Sequence, residues 1–245
     1  MNTAPVKLAR LIAHVYWAIV QILFILPFTD TPDRDRRLVG WSRKLLAILR
    51  VERRVAGALP ASGQGMLLVA NHVSWLDIHS LHALLPARFI SKAEVRGWPL
   101  IGRLAKSIGT LFIIRERRSD ARRINQEMVA YLAAGECVAF FPEGTSTDGR
   151  DLLPFYPSLF QPAVDAAVPI QPVALRYFTP TGATCDAAAY YGDMSFGQSL
   201  MRIARLEGLI VEVRFLPVID PAGLDRRDLA RRAEAAVRQG LGNRS

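Results

Sequence analysis

The segment Asn71-His72-Val73-Ser74-Trp75-Leu76-Asp77 places a histidine and an aspartate five positions apart, directly after the apolar run Met66-Leu67-Leu68-Val69-Ala70. An imidazole leaving a buried strand, with a carboxylate near enough to orient it, is the minimal equipment for removing a proton from a hydroxyl. If the strand ends at Asn71-His72 and Ser74 caps the helix that follows, Asp77 falls in its first turn and can fold back on the ring. A carboxylate so placed fixes the tautomer and stabilises the imidazolium. Backbone amides near that helix start are then the candidate oxyanion donors. The same spacing also arises from a core histidine followed by a helix-capping aspartate. His79 and His82 lie further along the helix, but no second ligand cluster accompanies them, so no metal is expected.

Three further segments carry chemistry-bearing residues. Phe141-Pro142-Glu143-Gly144-Thr145-Ser146 follows the strand-like run Cys137–Phe141. A glycine in a strand-end turn permits close backbone approach to a ligand. Glu143 and Thr145 would supply an acceptor and a hydroxyl beside it; a plain turn is the alternative. In Gly109-Thr110-Leu111-Phe112-Ile113-Ile114-Arg115, a strand delivers an arginine, followed by Glu116, Arg117 and Arg118. A guanidinium fork suits bidentate binding of phosphate. In Val168-Pro169-Ile170-Gln171-Pro172-Val173, two prolines enter a strand and are expected to shape a pocket wall or a sheet edge. Lys92 follows a short strand and is a candidate to bind a substrate's phosphate groups, with a solvated lysine as the alternative. Arg96, Trp98, Arg103 and Lys106 cluster around Pro99 as a candidate membrane-contacting or donor-binding surface.

The elements that must position these residues alternate in type. Strands are expected over Met66–Ala70, Arg88–Ser91, Thr110–Ile114, Cys137–Phe141, Ile170–Phe178 and Leu209–Leu216. Helices are expected over Trp75–Leu84, Leu100–Ser107, Ser119–Ala134, Ser158–Ala167, Ser195–Leu206 and Asp225–Gln239, with Ser119 and Ser195 as N-caps. The alternation predicts an α/β fold, a mixed sheet flanked by helices.

Before residue 60 the pattern differs. Leu11 to Phe28 is apolar except for His14, Gln21 and Pro27. As a helix it would be ~27 Å long against a hydrocarbon core of ~30 Å, borderline between a span and a helix lying in one leaflet, with a buried core helix as the alternative. Asp33–Arg50 reads as a basic, Trp-bearing amphipathic helix of the interfacial kind. The chain is thus divided into N-terminal membrane-associated helices (1–60) and a catalytic domain (61–245).

Of the 245 residues, 51% are hydrophobic, and the formal charge is +9. That charge is uneven: residues 1–60 hold ten basic and four acidic side chains, 86–123 ten and three, and 124–200 two and eight. A nucleic-acid binder would be more uniformly basic; basic blocks beside apolar helices suggest an anionic membrane surface. The arginines after the first helix place the bulk of the chain at the cytoplasmic face of the inner membrane. Two cysteines, with Cys137 in an apolar run, point to a reducing compartment without disulfides.

In this order and at these distances the four segments resemble the glycerolipid acyltransferase family, which includes the bacterial 1-acylglycerol-3-phosphate (lysophosphatidate) acyltransferases. The resemblance spans roughly residues 66–178. It implies transfer of a fatty acyl group from acyl-CoA or acyl-carrier protein to a lysolipid hydroxyl, with no metal or dissociable cofactor. It implies His72 as general base oriented by Asp77, Arg115 binding the acceptor phosphate, and Glu143, Gly144 and Thr145 in acceptor binding. Two departures bear on the substrate. Ser146 stands where an arginine often follows E-G-T, ahead of Thr147-Asp148-Gly149-Arg150, and Tyr190-Tyr191-Gly192-Asp193-Met194 has no assigned chemistry. Both are similar to the lyso-ornithine lipid acyltransferase branch. Lysophosphatidate stands first as acceptor and lyso-ornithine lipid or another lysolipid second. A non-catalytic membrane protein on the same fold would be expected to have lost the His72/Asp77 pair. A serine esterase would need a G-x-S-x-G elbow, which is absent.

Overall fold

A computed structural model describes residues 3–61, 63–97, 101–113 and 118–242. Among them, seven strands form one sheet: β1 (Val51–Ala56), β2 (Met66–Ala70), β3 (Arg88–Lys92), β4 (Leu111–Ile113), β5 (Cys137–Phe140), β6 (Ile170–Phe178) and β7 (Leu209–Phe215). Their spatial order is β1-β7-β6-β2-β5-β3-β4. From β6 to β4 all neighbours are parallel; β7 runs antiparallel to β6, and β1 follows β7. The sheet is therefore mixed, as the alternation of elements predicts.

Helices cover both faces. On one side lie α1 (Ala4–Phe24), α2 (Thr31–Leu49), α3 (Leu76–His82) and α8 (Phe196–Arg205); on the other α6 (Arg118–Ala133), α7 (Gln161–Asp165) and α9 (Arg226–Leu241). Two short helices, α4 (Ala93–Arg96) and α5 (Ile101–Ser107), follow β3. β2 is buried along its whole length, and its residues alternate between the layers: Leu68 and Ala70 pack with Leu46, Leu49 and Leu76, while Leu67 and Val69 pack with Met128, Leu132 and Phe160. A continuous apolar run is what a parallel strand covered on both faces requires.

The termini of the helices follow from their sequences. The Asp30 side chain accepts from the Asp33 amide (2.8 Å), Pro32 occupies the first turn, and Arg50 ends α2 in the left-handed region at φ 59°. Ser195 caps α8 with a reciprocal box to Gln198, as expected. α6 begins one residue before the expected Ser119.

On three points the structure departs from or adds to the expectations. β1 was not anticipated. Its sequence Val-Glu-Arg-Arg-Val-Ala buries only Val51, so its charged edge character hides it among the basic residues of the N-terminal segment. It pairs with β7 over six positions, and so a sheet strand precedes the division drawn at residue 60. Second, β6 is not an edge: it lies between β2 and β7. Pro172 is tolerated there because the Gln171 side-chain amide donates to the Leu216 carbonyl (2.7 Å), an acceptor the proline nitrogen cannot serve. Third, α1 packs against the domain along one stripe. Ala4, Lys7, Leu11 and Ala18 form a buried stripe on it. Lys7 Nζ donates to the Leu206 carbonyl (2.6 Å), and His14 Nε2 to that of Trp41 (3.0 Å).

Candidate active site

The four segments singled out in the sequence leave or enter adjacent parallel strands. The His72 turn leaves β2, the Glu143 turn leaves β5, and Lys92 is the last residue of β3, opposite Ile113 of β4. Ligand sites of α/β sheets form at such carboxyl ends. Arg115, two positions beyond β4, lies outside the described residues, as do Trp98 and Pro99. Arg96, Arg103 and Lys106 are exposed.

Asp77 is the centre of the site. Its side chain is 0% exposed, and the His72 ring is 20% exposed. His72 Nδ1–H donates to Asp77 Oδ2 at 2.8 Å. The same oxygen accepts from the amides of Val73 (2.7 Å) and Ser74 (2.8 Å). Oδ1 accepts from the Tyr177 hydroxyl at 2.6 Å. Since a carboxylate only accepts, Nδ1 carries the proton and Nε2 keeps its lone pair. The ring plane is set by Phe141, stacked at 3.9 Å and 7°. The expected folding-back of the carboxylate is thus present. Ser74 contributes little as a cap: its hydroxyl accepts from the Leu76 amide at 3.3 Å.

Asn71 fixes the turn to the sheet. Its side-chain amide donates to the Leu175 carbonyl (3.0 Å) and its oxygen accepts from the Leu175 amide (2.8 Å), a bracket between the end of β2 and the middle of β6.

Glu143 does not offer its carboxylate to an acceptor. It is 2% exposed. Oε1 accepts from the His72 amide (2.7 Å) and Oε2 from the Leu153 amide (2.9 Å). Burial raises its carboxyl above the ordinary range, against the opposing pull of those amides. It ties the β5 turn to the His72 backbone. Gly144, at φ 78°, gives the turn a left-handed residue, and Thr145 is the exposed member of the trio.

The chain then folds back over the histidine. The Thr147 amide donates to the His72 carbonyl (2.9 Å). Gly149 packs so close to Val73 that a Cβ there would meet its methyls at 3.1 Å. The Ser146 hydroxyl donates to the Tyr190 carbonyl, and the Tyr190 amide donates to Val73 (2.8 Å). The two unusual features of the sequence, Ser146 and the Tyr190–Met194 segment, therefore meet beside the His72 turn. Trp75 extends this contact, with Nε1 donating to Ser199 Oγ (3.2 Å) and its ring 5.2 Å from Phe196.

Several of the expected oxyanion donors are already taken. The amides of His72, Val73, Ser74, Leu76 and Asp77 are each committed within the turn or to Glu143. His79 and His82 are core residues. His82 Nε2 donates to the Ala87 carbonyl (2.9 Å), and His79 packs against Trp41 and Trp75. Burial lowers His79 to about 3 and His82 to about 4, so both are neutral near pH 7.

Similarity to known proteins agrees with this geometry. A family model described as Acyltransferase matches residues 50–176. A lyso-ornithine lipid O-acyltransferase of Pseudomonas aeruginosa is 46% identical, covering 88% of this chain and 83% of its own. A 1-acyl-sn-glycerol-3-phosphate acyltransferase of Neisseria meningitidis is 38% identical over 84% of this chain and 81% of its own. The crystal structure of the 1-acyl-sn-glycerophosphate acyltransferase of Thermotoga maritima superposes with a TM-score of 0.69 over 97% of this chain and 96% of that one. At 21% identity, that likeness speaks to the fold. The matched segment opens just before β1 and closes one residue before Tyr177, enclosing His72, Asp77 and Glu143, and on these grounds the chain belongs to the acyltransferase family.

Proposed function

We propose that the protein transfers a fatty acyl group from a thioester donor, acyl-CoA or acyl-carrier protein, to the hydroxyl of a lysolipid, with His72 as general base. The observation that carries this reading is the 2.8 Å hydrogen bond from His72 Nδ1–H to buried Asp77, which leaves Nε2 as the basic atom. Nε2 takes the acceptor's proton as its oxygen attacks the thioester carbonyl. Asp77 stabilises the imidazolium, the C–O bond forms, the C–S bond breaks, and the imidazolium returns its proton to the thiolate. A thioester is already activated, so no covalent enzyme intermediate is required.

The sequence put lysophosphatidate first as acceptor; two observations favour lyso-ornithine lipid instead. The loops pinned to the histidine, 145–151 and 185–194, carry Asp148, Asp151, Asp186 and Asp193 against Arg150 alone. Arg150 itself lies 3.6 Å from Asp148 and 3.7 Å from Asp186. That flank repels a phosphate dianion and attracts an ammonium group. The Pseudomonas relative also exceeds the Neisseria one in identity. The test is acyl transfer by wild type and His72→Ala with both lysolipids. We expect lyso-ornithine lipid to be acylated faster and the variant to be inactive with either. Faster acylation of lysophosphatidate would reverse the choice of acceptor, and an active, folded His72→Ala would overturn the mechanism.

The reading places the protein on the cytoplasmic face of the inner membrane. α1 is long and apolar enough to cross a bilayer by length and composition. Its inner stripe is nevertheless packed on the domain, while Ile12, Tyr16, Trp17 and Phe24 face outward. An interfacial helix in one leaflet satisfies both faces at once.

A further inference from the structure

Tyr177 belongs to none of the four segments, and no acceptor-binding or base role falls to it. It is 5% exposed, in the middle of the sheet, with its hydroxyl 2.6 Å from Asp77 Oδ1. The hydroxyls of Ser74 and Ser80 lie beside the phenol oxygen. Burial, then the charge of Asp77, pushes the phenol well above its ordinary range, so it stays a proton donor at every working pH. Its place is set by the Asn71 bracket to Leu175, because residue 177 lies two positions on, on the same face of β6.

We propose that Tyr177 is a positioning residue of the acyl transfer: its proton holds Asp77 with Oδ2 toward His72 and sets how strongly that carboxylate draws the imidazolium. The inference rests on His72 being the base. Asp77 has two oxygens and four donors. Three donors converge on Oδ2; only Tyr177 reaches Oδ1 among the described residues. Without it, the free oxygen would sit in a dry interior, and the negative charge shared with the phenol would be concentrated on the His72 side. The imidazolium would be held more tightly and give up its proton less readily. The other titratable groups around the pair are Glu143, bound to the His72 amide, and His79 and His82 on α3, both neutral; none donates to Oδ1.

The test is the pH dependence of kcat/KM with a lysolipid and acyl-CoA. Tyr177→Phe keeps the ring and removes the proton; the acidic limb is expected to move to higher pH by roughly half to one unit, with kcat lowered about tenfold. Replacing Tyr177 with 3-fluorotyrosine makes the phenol a stronger donor in the same shape, and the limb is expected to move to lower pH. A packing role would lower the rate at all pH values and leave the limb in place. Because the fluorinated residue keeps the hydroxyl and nearly the same volume, it remains informative if the Phe variant does not fold. Limbs that stay put in the foldable variants would overturn the proposal for Tyr177. His72→Ala in the same assay separates the outcomes: if it is inactive the base reading survives, and if it is active both fall.

Discussion

Replacing Asp77 should separate stability from catalysis in a way that depends on the replacement. Asp77→Ala leaves the Val73 and Ser74 amides buried without partners and takes from the Tyr177 hydroxyl its 2.6 Å acceptor. At about 1–3 kcal/mol for each of the two orphaned amides, the loss is roughly 2–6 kcal/mol. That is comparable to the ~5–15 kcal/mol that holds a domain folded. Asp77→Asn is different. Two backbone amides and Nδ1–H converge where Oδ2 stands, so the Asn oxygen must occupy that place, and its NH2 must face Tyr177, whose hydroxyl can turn to accept. The fold and the His72 tautomer are both kept. Three charge-assisted bonds to the turn become neutral ones, costing roughly 1–3 kcal/mol of stability. The imidazolium loses a charge of similar worth, about a 10–100-fold fall in kcat. His72→Ala removes the proposed base, an expected loss of roughly 10²–10⁴-fold, while Asp77 keeps three donors and the melt falls little.

Thermal melts followed by circular dichroism, paired with thiol release from acyl-CoA in the presence of lysolipid, read both quantities. The expected order of stability is wild type and His72→Ala, then Asp77→Asn, then Asp77→Ala, which should not be recovered folded. The expected order of activity is wild type, then Asp77→Asn, then His72→Ala. An Asp77→Ala protein that melts with wild type would refute the account of the turn. An Asp77→Asn protein as inactive as His72→Ala would refute the argument that its amide orientation is forced.

Glu143→Gln leaves one amide, of His72 or Leu153, facing an NH2 donor; a loss of about 1–3 kcal/mol in the melt is expected together with lower kcat, and an unchanged melt would count against its role as a brace. His79 and His82 are held at about 3 and about 4, below the ordinary 6.5, so the unfolded chain takes up their protons first. Their contribution is complete above pH ~6.5 and fades as pH falls toward 4, by up to about 2–3 kcal/mol per unit. The wild type should therefore melt lower at pH 5 than at pH 7.5, and His82→Gln, which can still donate to Ala87, should show a shallower drop. Ile12→Asp and Trp17→Asp alter only the outward face of α1, and flotation with anionic vesicles should decline while the melt stays put.

What could be read from the sequence was what is local. The buried run of β2, the turn after it and the reach of Asp77 back to His72 lie within a dozen residues, and residue type and spacing reveal them. Glu143 was visible as a residue but not in its role, because a carboxylate's type does not say that both of its oxygens will be taken by amides at positions 72 and 153. Tyr177 and Asn71 act on partners 100 and 104 positions away, and nothing local marks such a pairing. One signal was present for Tyr177: a tyrosine in an otherwise apolar central strand needs a partner for its hydroxyl. β1 escaped because an edge strand buries one residue in six here and has no apolar rhythm to show.

The division of labour between His72 and Asp77 follows from which layer each belongs to. Asp77 is set into the first turn of α3, whose Leu76 and Leu81 are core residues beneath α2. There its charge is satisfied by donors from the turn after β2 and from Tyr177 of β6. His72 lies one step outward, on the strand end where the sheet stops. α1 packs on α2, and α2 on α3. Rings continue the same path, with His14 on Trp41 at 4.8 Å and Trp41 5.3 Å from His79. Each contact is between packed, rigid elements, so the apolar outer face of α1 and the imidazole of His72 belong to one body with a fixed separation. A lipid hydroxyl sits at a fixed depth below the headgroup plane. If His72 is the base and α1 lies in the membrane, as proposed, a helix that cannot tilt independently of the His72 turn is an advantage, and the buried stripe of Lys7, Leu11 and Ala18 supplies that coupling.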